Sequence, residues 1–398
     1  MFTAVSSLRA HQMMMDVVGN NIGNVNTAGY KASQVTFQEA LTQVLRGPAG
    51  GINPLQVGLG VKVATIDPVF SQGATQVTGR FTDVAIQGDG FFVVQKGGER
   101  LYTRAGSFSV DAEGNLVGFD GYRVLGWAAD ASGAIDTNGP IRPITIPIGQ
   151  VKAPRATTVV EVGGNLSADA PVGTEVTTSI AVYDSLGNTH EVVFTFEKTA
   201  DNQWSVRASI DGTDYTLTPS TLSFGPDGTL TSTSPLVFSG YTPPGAEPLT
   251  FDVVLQGDAP LVQYGGTTTA EARSQDGRGA GVLRGFAISS DGTITGQFSN
   301  GETKVLGALA IASFSNPAGL VRVGNSNFAS SLNSGEPLVG LPGTGSRGTL
   351  TAGALEMSNV DLAQEFTNLI LAQRGFQANS RVISASDELL LDLVNLKR

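Results

Sequence analysis

The sequence predicts a mainly β protein with α-helical coiled-coil termini and discontinuous β domains, an outer one inserted into an inner one. Three observations support this. Glycine fills 51 of 398 positions while charged residues reach only 15%, a balance that favours turn-rich β structure with weakly charged surfaces. A strand, Asp/Glu-Gly turn, strand unit recurs through the middle of the chain. Seven-residue apolar periods are confined to its two ends.

At the N-terminal end Leu8, Met15 and Ile22 recur every seven residues, with Val18 and Val25 offset by three and His11 in the same stripe. This spacing predicts a helix that packs against other helices. The run NNIGNVNTAGYK (20 to 31) follows, with Asn20, Asn21, Asn24 and Asn26 close together, then Thr27, Gly29, Tyr30 and Lys31. Asparagine and glycine disfavour helix interiors and tolerate turns, so the run reads as a helix stop followed by a hydrogen-bonding connector over 25 to 71. QVTFQEALTQVL (34 to 45) departs from it toward the β domains.

The repeated unit appears as SFSVDAEGNLVG (107 to 118), TLSFGPDGTLTS (221 to 232) and GFAISSDGTITG (285 to 296), all hairpin signatures because Asp-Gly pairs accept positive φ. HEVVFTFEK (190 to 198) and SVRASI (205 to 210) alternate as half-buried strands do. Composition and hairpin spacing divide the β part into an inner domain, 72 to 144 with 283 to 357, and an inserted outer domain, 145 to 282. At the C-terminal end Ser358 and Asp361 form an S-x-x-D helix-start signal. Beyond it Leu362, Leu369, Phe376, Ile383 and Leu390 keep the seven-residue period, and Phe366 and Ile370 widen the stripe. The helical stem is therefore 1 to 24 with 358 to 398. Five such residues, fully buried, gain roughly 7 to 15 kcal/mol gross. The β part offers no comparable helix, so the natural partners of each stripe are the other stripe and further copies of the chain.

Composition excludes several functions. The net charge is -11 with basic residues scattered, so no stripe follows a phosphate backbone and nucleic acid is not an expected partner. Without cysteine there are no disulfides, thiolate zinc sites, Fe–S clusters or thiol nucleophiles. GTGSRG (343 to 348) matches G-x-G-x-x-G but is followed by TLTAG rather than a helix, so it reads as a flexible connector. DAEGN, DASGAID and SDGT lack the twelve-residue spacing of a calcium loop and read as turns. His11 and His190 are the only histidines; His190 reads as a strand-edge residue, and no G-x-S-x-G elbow occurs. The expectation is no catalytic, cofactor or metal site. No window approaches the ~20 apolar residues of a membrane span, and the N-terminus lacks the basic and apolar segments of a cleaved signal peptide.

The asparagine run resembles the signature of bacterial flagellar axial proteins, the rod and hook family. The resemblance continues through FSQGATQVTGRFTDVAIQGDGFFVV (70 to 94), LYTRAGSFSVDAEGNLV (101 to 117), 284 to 335 and 354 to 398. Ala28 departs from it, standing where family members often carry proline. Length, NSNFASSLNSG and the inserted β domain place the chain nearer the hook members than the shorter rod members. That resemblance implies a subunit of a curved, flexible tube that links rod to filament outside the cell and transmits torque. It also implies rod and hook-filament junction proteins, a hook cap and the type III export machinery as partners. Two other readings use the same sequence: a distal rod subunit, and an extracellular β-rich binding protein with a helical multimerisation stem.

Overall fold

The second helix begins three residues later than the S-x-x-D signal suggests. Asp361 itself caps the helix, its Oδ1 accepting from the N–H of Ala363 at 2.9 Å and of Gln364 at 3.3 Å. Ser358 is diverted into a local turn, where its Oγ accepts from Val360 N–H. The computed structural model describes residues 2 to 46 and 55 to 395. Residue 1 and residues 396 to 398 of the expected stem, and 47 to 54 of the expected connector, lie outside the described residues.

Two helices, α1 (Phe2–Gly23) and α2 (Leu362–Asn395), flank the β part. They run antiparallel: the Asn21 side chain bonds Glu365, and a Cβ on Gly375 would sit 2.6 Å from His11 Cε1. Ten residues back along α1 thus match ten forward along α2. The same register brings Phe2 level with Ser384, so the last three turns of α2 run past the start of α1.

The contact between the helices is made differently from the expected seam. The fully buried positions are Ala4, Ala10, Val18 and Asn21 on α1 and Ala372 on α2. Leu8, Met15, Ile22 and Val25 are half-buried, as are Leu369, Phe376 and Ile383. Leu362, Phe366 and Leu390 are 41%, 50% and 52% exposed. Small side chains permit the close approach of the two backbones, which leaves the large side chains on the flanks and outer face of the pair.

The chain forms two compact units, 1 to 147 with 286 to 296 and 304 to 398, and 148 to 285 with 297 to 303. In the first, the expected connector is an antiparallel ribbon. Ser33–Glu39 pairs with Val61–Pro68, and Thr42–Arg46 pairs with Leu55–Gly58. Beyond the ribbon lies a sheet in which Thr303–Leu309, Arg123–Ala128, Phe91–Lys96, Glu99–Thr103, Asn327–Ala329 and Val321–Gly324 follow one another. Phe91, Val93, Tyr102, Leu125, Trp127, Phe314 and Phe328 form its core.

The second unit is a strongly curled sheet. Its strands run Glu175–Tyr183, Thr189–Ala200, Gln203–Ile210, Thr213–Ser223, Leu236–Tyr241, Leu249–Val254, Val159–Asn165 and Leu261–Val262. Glu271–Gln275 also pairs with Val159–Asn165, and its Ala272 N–H reaches back to Thr178 Oγ1 of the first strand at 2.9 Å. Alternation along the strands puts Phe194, Phe196, Trp204, Val206, Phe238 and Phe251 into one core.

Two hairpins fall where expected, Phe108–Val110 with Leu116–Gly118 and Gly281–Ile288 with Thr293–Phe298. The third is a short hairpin-like turn, with a Phe224 to Leu230 bridge flanked by Gly225 N–H to Thr229 O and Thr231 N–H to Ser223 O bonds, each 2.8 Å. GTGSRG is not a loose connector but a bonded turn, with Gly343 N–H donating to Gly348 O at 2.9 Å and Gly348 N–H to Asp89 O at 2.7 Å. It enters the strand Thr349–Ala352 rather than a helix, so the phosphate-cradle geometry is absent from it.

Candidate functional site

The asparagine run is where the stem meets the β head. Sequence reasoning takes Asn20 and Asn21 as a helix stop, yet both lie inside α1, which continues to Gly23. The chain leaves through tightened turns, with Asn24 N–H facing both Asn20 O and Asn21 O and Val25 N–H donating to Ile22 O. Asn24 Nδ2 also donates to Asn20 O, and Thr27 Oγ1 donates to Asn24 Oδ1. Asn26 is exposed.

Asn21 is a hub with no exposed surface. Its Nδ2 donates to Ser33 O at 2.8 Å and Glu365 Oε1 at 3.1 Å, while its Oδ1 accepts from Ser33 N–H at 2.9 Å. The Tyr30 hydroxyl stands 3.1 Å from Asn21 Oδ1 and 2.7 Å from Asn20 Oδ1. One amide thus ties α1 to the ribbon, to the connector and to the first turn of α2. An asparagine in a helix interior costs propensity; four polar contacts in a dry site exceed that cost.

Gly29 is required twice. Its φ is +69°, and a Cβ there would lie 2.7 Å from Ala105 Cα, while its N–H donates to Glu356 O at 2.8 Å. The Arg322 guanidinium lies 5.1 Å from the Tyr30 ring centroid and 5.8 Å from that of Phe328, and donates to Lys31 O.

Lys31 turns inward. Its Nζ donates to Ser71 O and to Glu356 Oε1, each at 2.7 Å. Glu356 also accepts from Gly73 N–H at 2.9 Å and Arg104 Nη1 at 3.3 Å. Burial pulls Lys31 below the ordinary lysine value, and the nearby Glu356 only partly opposes it. Arg104 is lowered for the same reason, again partly opposed by Glu356. Next along α2's approach, Asn359 accepts from Ala32 N–H and donates to Val69 O. Glu356, Arg104, Arg322 and Asn359 escape a reading by sequence because they lie in four segments distant from Lys31, and only the fold brings them to the Lys31–Ala32 stretch. The one available signal is Glu356, a lone acid in the apolar stretch ALEM.

The arrangement binds segments to one another. Among the described residues there is no cluster of three His, Cys, Asp or Glu side chains able to hold a metal, and no helix is long and apolar enough to cross a membrane. Antiparallel terminal helices fixed to a β head by a bonded asparagine run define a class, the axial subunits built on a helical stem.

Comparison with known proteins narrows that class. Four family models match in order: flagella basal body rod protein (1 to 31), flagellar hook protein FlgE/F/G D1 domain (85 to 166), flagellar basal body protein FlaE D2 domain (155 to 278) and flagellar basal body rod FlgEFG protein C-terminal (351 to 396). The chain is 37% identical to the flagellar hook protein FlgE of Borreliella burgdorferi, over 100% of this chain and 99% of that relative. It is equally identical to FlgE of Escherichia coli K12, with 99% of each chain covered. It is 30% identical to the flagellar basal-body rod protein FlgG of Bacillus subtilis, over 100% of this chain and 98% of that one. The crystal structure of Helicobacter pylori flagellar hook protein FlgE2 shares the fold, with a TM-score of 0.54 at 15% identity over 71% of this chain and 100% of that one. The chain belongs to the flagellar hook protein FlgE family.

Proposed function

We propose that this chain is the structural subunit of a bacterial flagellar hook, polymerising with copies of itself into a curved, flexible helical tube that couples rod to filament and passes motor torque. Many copies of itself are the main partner. Rod and hook-filament junction proteins, the hook cap and the type III export machinery complete the set, and its place is the extracellular part of the flagellum. Its work is mechanical, with no catalytic step.

One observation carries the assembly argument: Leu362, Phe366, Ile370, Leu371, Leu389, Leu390 and Leu391 all stand 41% exposed or more on α2. The exposed part of each such side chain forgoes a corresponding share, roughly half, of the about 1.5 to 3 kcal/mol that full burial supplies. Among the described residues, the last three turns of α2 have no helical partner, and exposed apolar patches of this kind mark association surfaces. Head-to-tail packing of identical stems is a heterologous contact that does not close, so it generates a helical filament. Folding of the ends and growth of the tube then share one free energy.

The segment from Ile148 to Gly285 is the inserted outer domain in this reading, and its sliding past neighbours bends the tube. A deletion testing this begins after Pro147, because Ile146 is completely buried and its N–H donates to Gly114 O in the first unit. Replace 148 to 285 with a short glycine-serine linker and image the product by electron microscopy. Straight or stiffened tubes are expected; tubes of unchanged curvature and pliability would remove bending from this segment.

The 30% identity to a rod protein over the whole chain favours a second reading, a distal rod subunit. Purified chain that polymerises into straight, rigid tubes supports the rod; curved, pliable tubes support the hook.

A further inference from the structure

Asn138–Gly139 and Asn300–Gly301 are the two Asn-Gly pairs in the sequence, and the structure puts them in opposite circumstances. In such a pair the side-chain amide carbon comes within reach of the next backbone nitrogen, and glycine has no Cβ to block the approach. What else holds the two groups decides whether they meet.

Asn138 is held by little. It lies in the connection between Ile135 and Ile141, which both pack against the core of the first unit, and it is exposed. Its own N–H donates to Asp136 Oδ1 at 3.0 Å, an Asx-turn that fixes the backbone on its N-terminal side. Among the described residues its side-chain amide makes no hydrogen bond, and neither does the Gly139 N–H. The Gly139 carbonyl is anchored, accepting from Trp127 Nε1 at 3.0 Å. The side chain that carries the amide carbon can therefore turn toward a nitrogen that is unbonded and held in place.

Asn300 is held at every point. Its Nδ2 donates to Gly279 O at 3.0 Å and its Oδ1 accepts from Glu302 N–H at 3.1 Å. The Gly301 nitrogen is also engaged, donating to Phe298 O at 3.1 Å in a turn where Gly301 has φ +80°. Joining the two groups here first breaks all three bonds. At the usual net strength of a hydrogen bond, that slows the reaction by on the order of a hundredfold relative to Asn138.

We propose that Asn138 is a site of spontaneous modification in the folded chain. The Gly139 nitrogen gives up its proton and bonds to Asn138 Cγ; the Cγ–Nδ2 bond breaks, and Nδ2 leaves with a proton as ammonia. The product is a succinimide ring. Water then opens either ring carbonyl: cleavage at Cγ gives aspartate, and cleavage at the main-chain carbonyl gives isoaspartate. Both products place a new carboxylate beside Asp136. Isoaspartate also lengthens the main chain by a methylene just before the carbonyl that holds Trp127, a residue only 5% exposed. The loop thus gains negative charge with time, and the change is irreversible.

Incubating the full-length protein in mildly alkaline buffer, then mapping its peptides by mass spectrometry, tests this. The peptide carrying Asn138 should gain the mass of an amide-to-acid change as a mixture of aspartate and isoaspartate. Its rate should rise with pH, because the attacking nitrogen must lose a proton. The peptide carrying Asn300 should lag by on the order of a hundredfold, and unfolding in urea should bring the two rates together. Gly139→Ala should slow conversion at Asn138 without disturbing the loop, since a Cβ at Gly139 meets nothing closer than 3.5 Å. An Asn138 that stays an amide in the folded chain while it converts in urea overturns the proposal. So does an Asn300 that keeps pace in the folded chain, or aspartate formed at Asn138 without isoaspartate.

Discussion

Lys31 Nζ sits 2.7 Å from Glu356 Oε1, and neither side chain has any exposed surface. The two are 325 residues apart in sequence. Their pairing locks the exit of α1 onto the strand that leads to α2, so both stem helices leave the β head from one fixed point. Arg104, 3.3 Å from the other carboxylate oxygen, makes the cluster two cations to one acid.

That imbalance makes the two obvious substitutions unequal. Lys31→Met leaves the Arg104–Glu356 pair intact and removes one of two buried cations facing a single acid, so it should cost about 1 to 2 kcal/mol, chiefly the lost Ser71 contact. Glu356→Gln leaves two buried cations without a counter-charge and should cost about 3 to 5 kcal/mol. Urea unfolding of the first unit measures both. Equal losses would mean that the cluster acts by packing rather than by charge.

Gly29→Ala combines a strained φ with a Cβ driven into the Ala105 backbone, and should destabilise the junction by roughly 2 to 4 kcal/mol. Tyr30, 7% exposed, follows Gly29 directly and should become a site for limited chymotrypsin cleavage. Cleavage at the wild-type rate would show that the turn tolerates a side chain.

The exposed and half-buried parts of the stem separate by mutation. Phe366→Asp and Leu390→Asp alter side chains at least half exposed, so the isolated chain should keep its melting temperature while polymerisation is lost. Phe376→Asp, half-buried next to the His11 contact at Gly375, should weaken the α1–α2 pair as well. Sedimentation reports polymer and circular dichroism reports helix; normal tubes from the first two variants would remove the outer face of α2 from the assembly surface.

These contrasts show what periodicity can reveal. The seven-residue rule located both helices, because any buried or partnered helix repeats near that spacing. It could not tell which stripe meets the sister helix and which stays open. Ala4, Ala372 and Gly375 are chosen by close approach, which hydrophobicity does not register. Asn21 reads as a stop because propensity is local, whereas its four contacts come from Ser33, Tyr30 and Glu365. Ser358 and Asp361 show the same limit: both fit the start signal, and the tie of Asn359 to Ala32 and Val69 decides which one caps. In the second unit, alternation in HEVVFTFEK and SVRASI was legible because one face is fully buried. The described strands of the ribbon bury no face fully, with Phe37, Val44, Leu45, Leu55, Val57 and Ile66 all exposed, so the brief alternation in Gln34 to Gln38 and Val61 to Val63 marks strands without marking a core.

Acid should unfold the second unit through Asp184. Its pKa is depressed from the ordinary aspartate value to about 2 by hydrogen bonds that exist only in the folded turn. A group lowered in the folded state contributes stability that is fully present above the unfolded value of about 3.9, and loses it as pH falls through the folded value. The window therefore lies between about pH 4 and pH 2, and the contribution is about 2 kcal/mol. Asp184→Asn keeps one acceptor but not the charge, so it should lower stability at neutral pH by a similar amount and flatten the acid limb. Thermal melts at successive pH values distinguish the cases. If wild type and Asp184→Asn lose stability in parallel between pH 4 and pH 2, some other carboxylate governs the acid response, and the turn from Asp184 to Asn188 is held by its backbone alone.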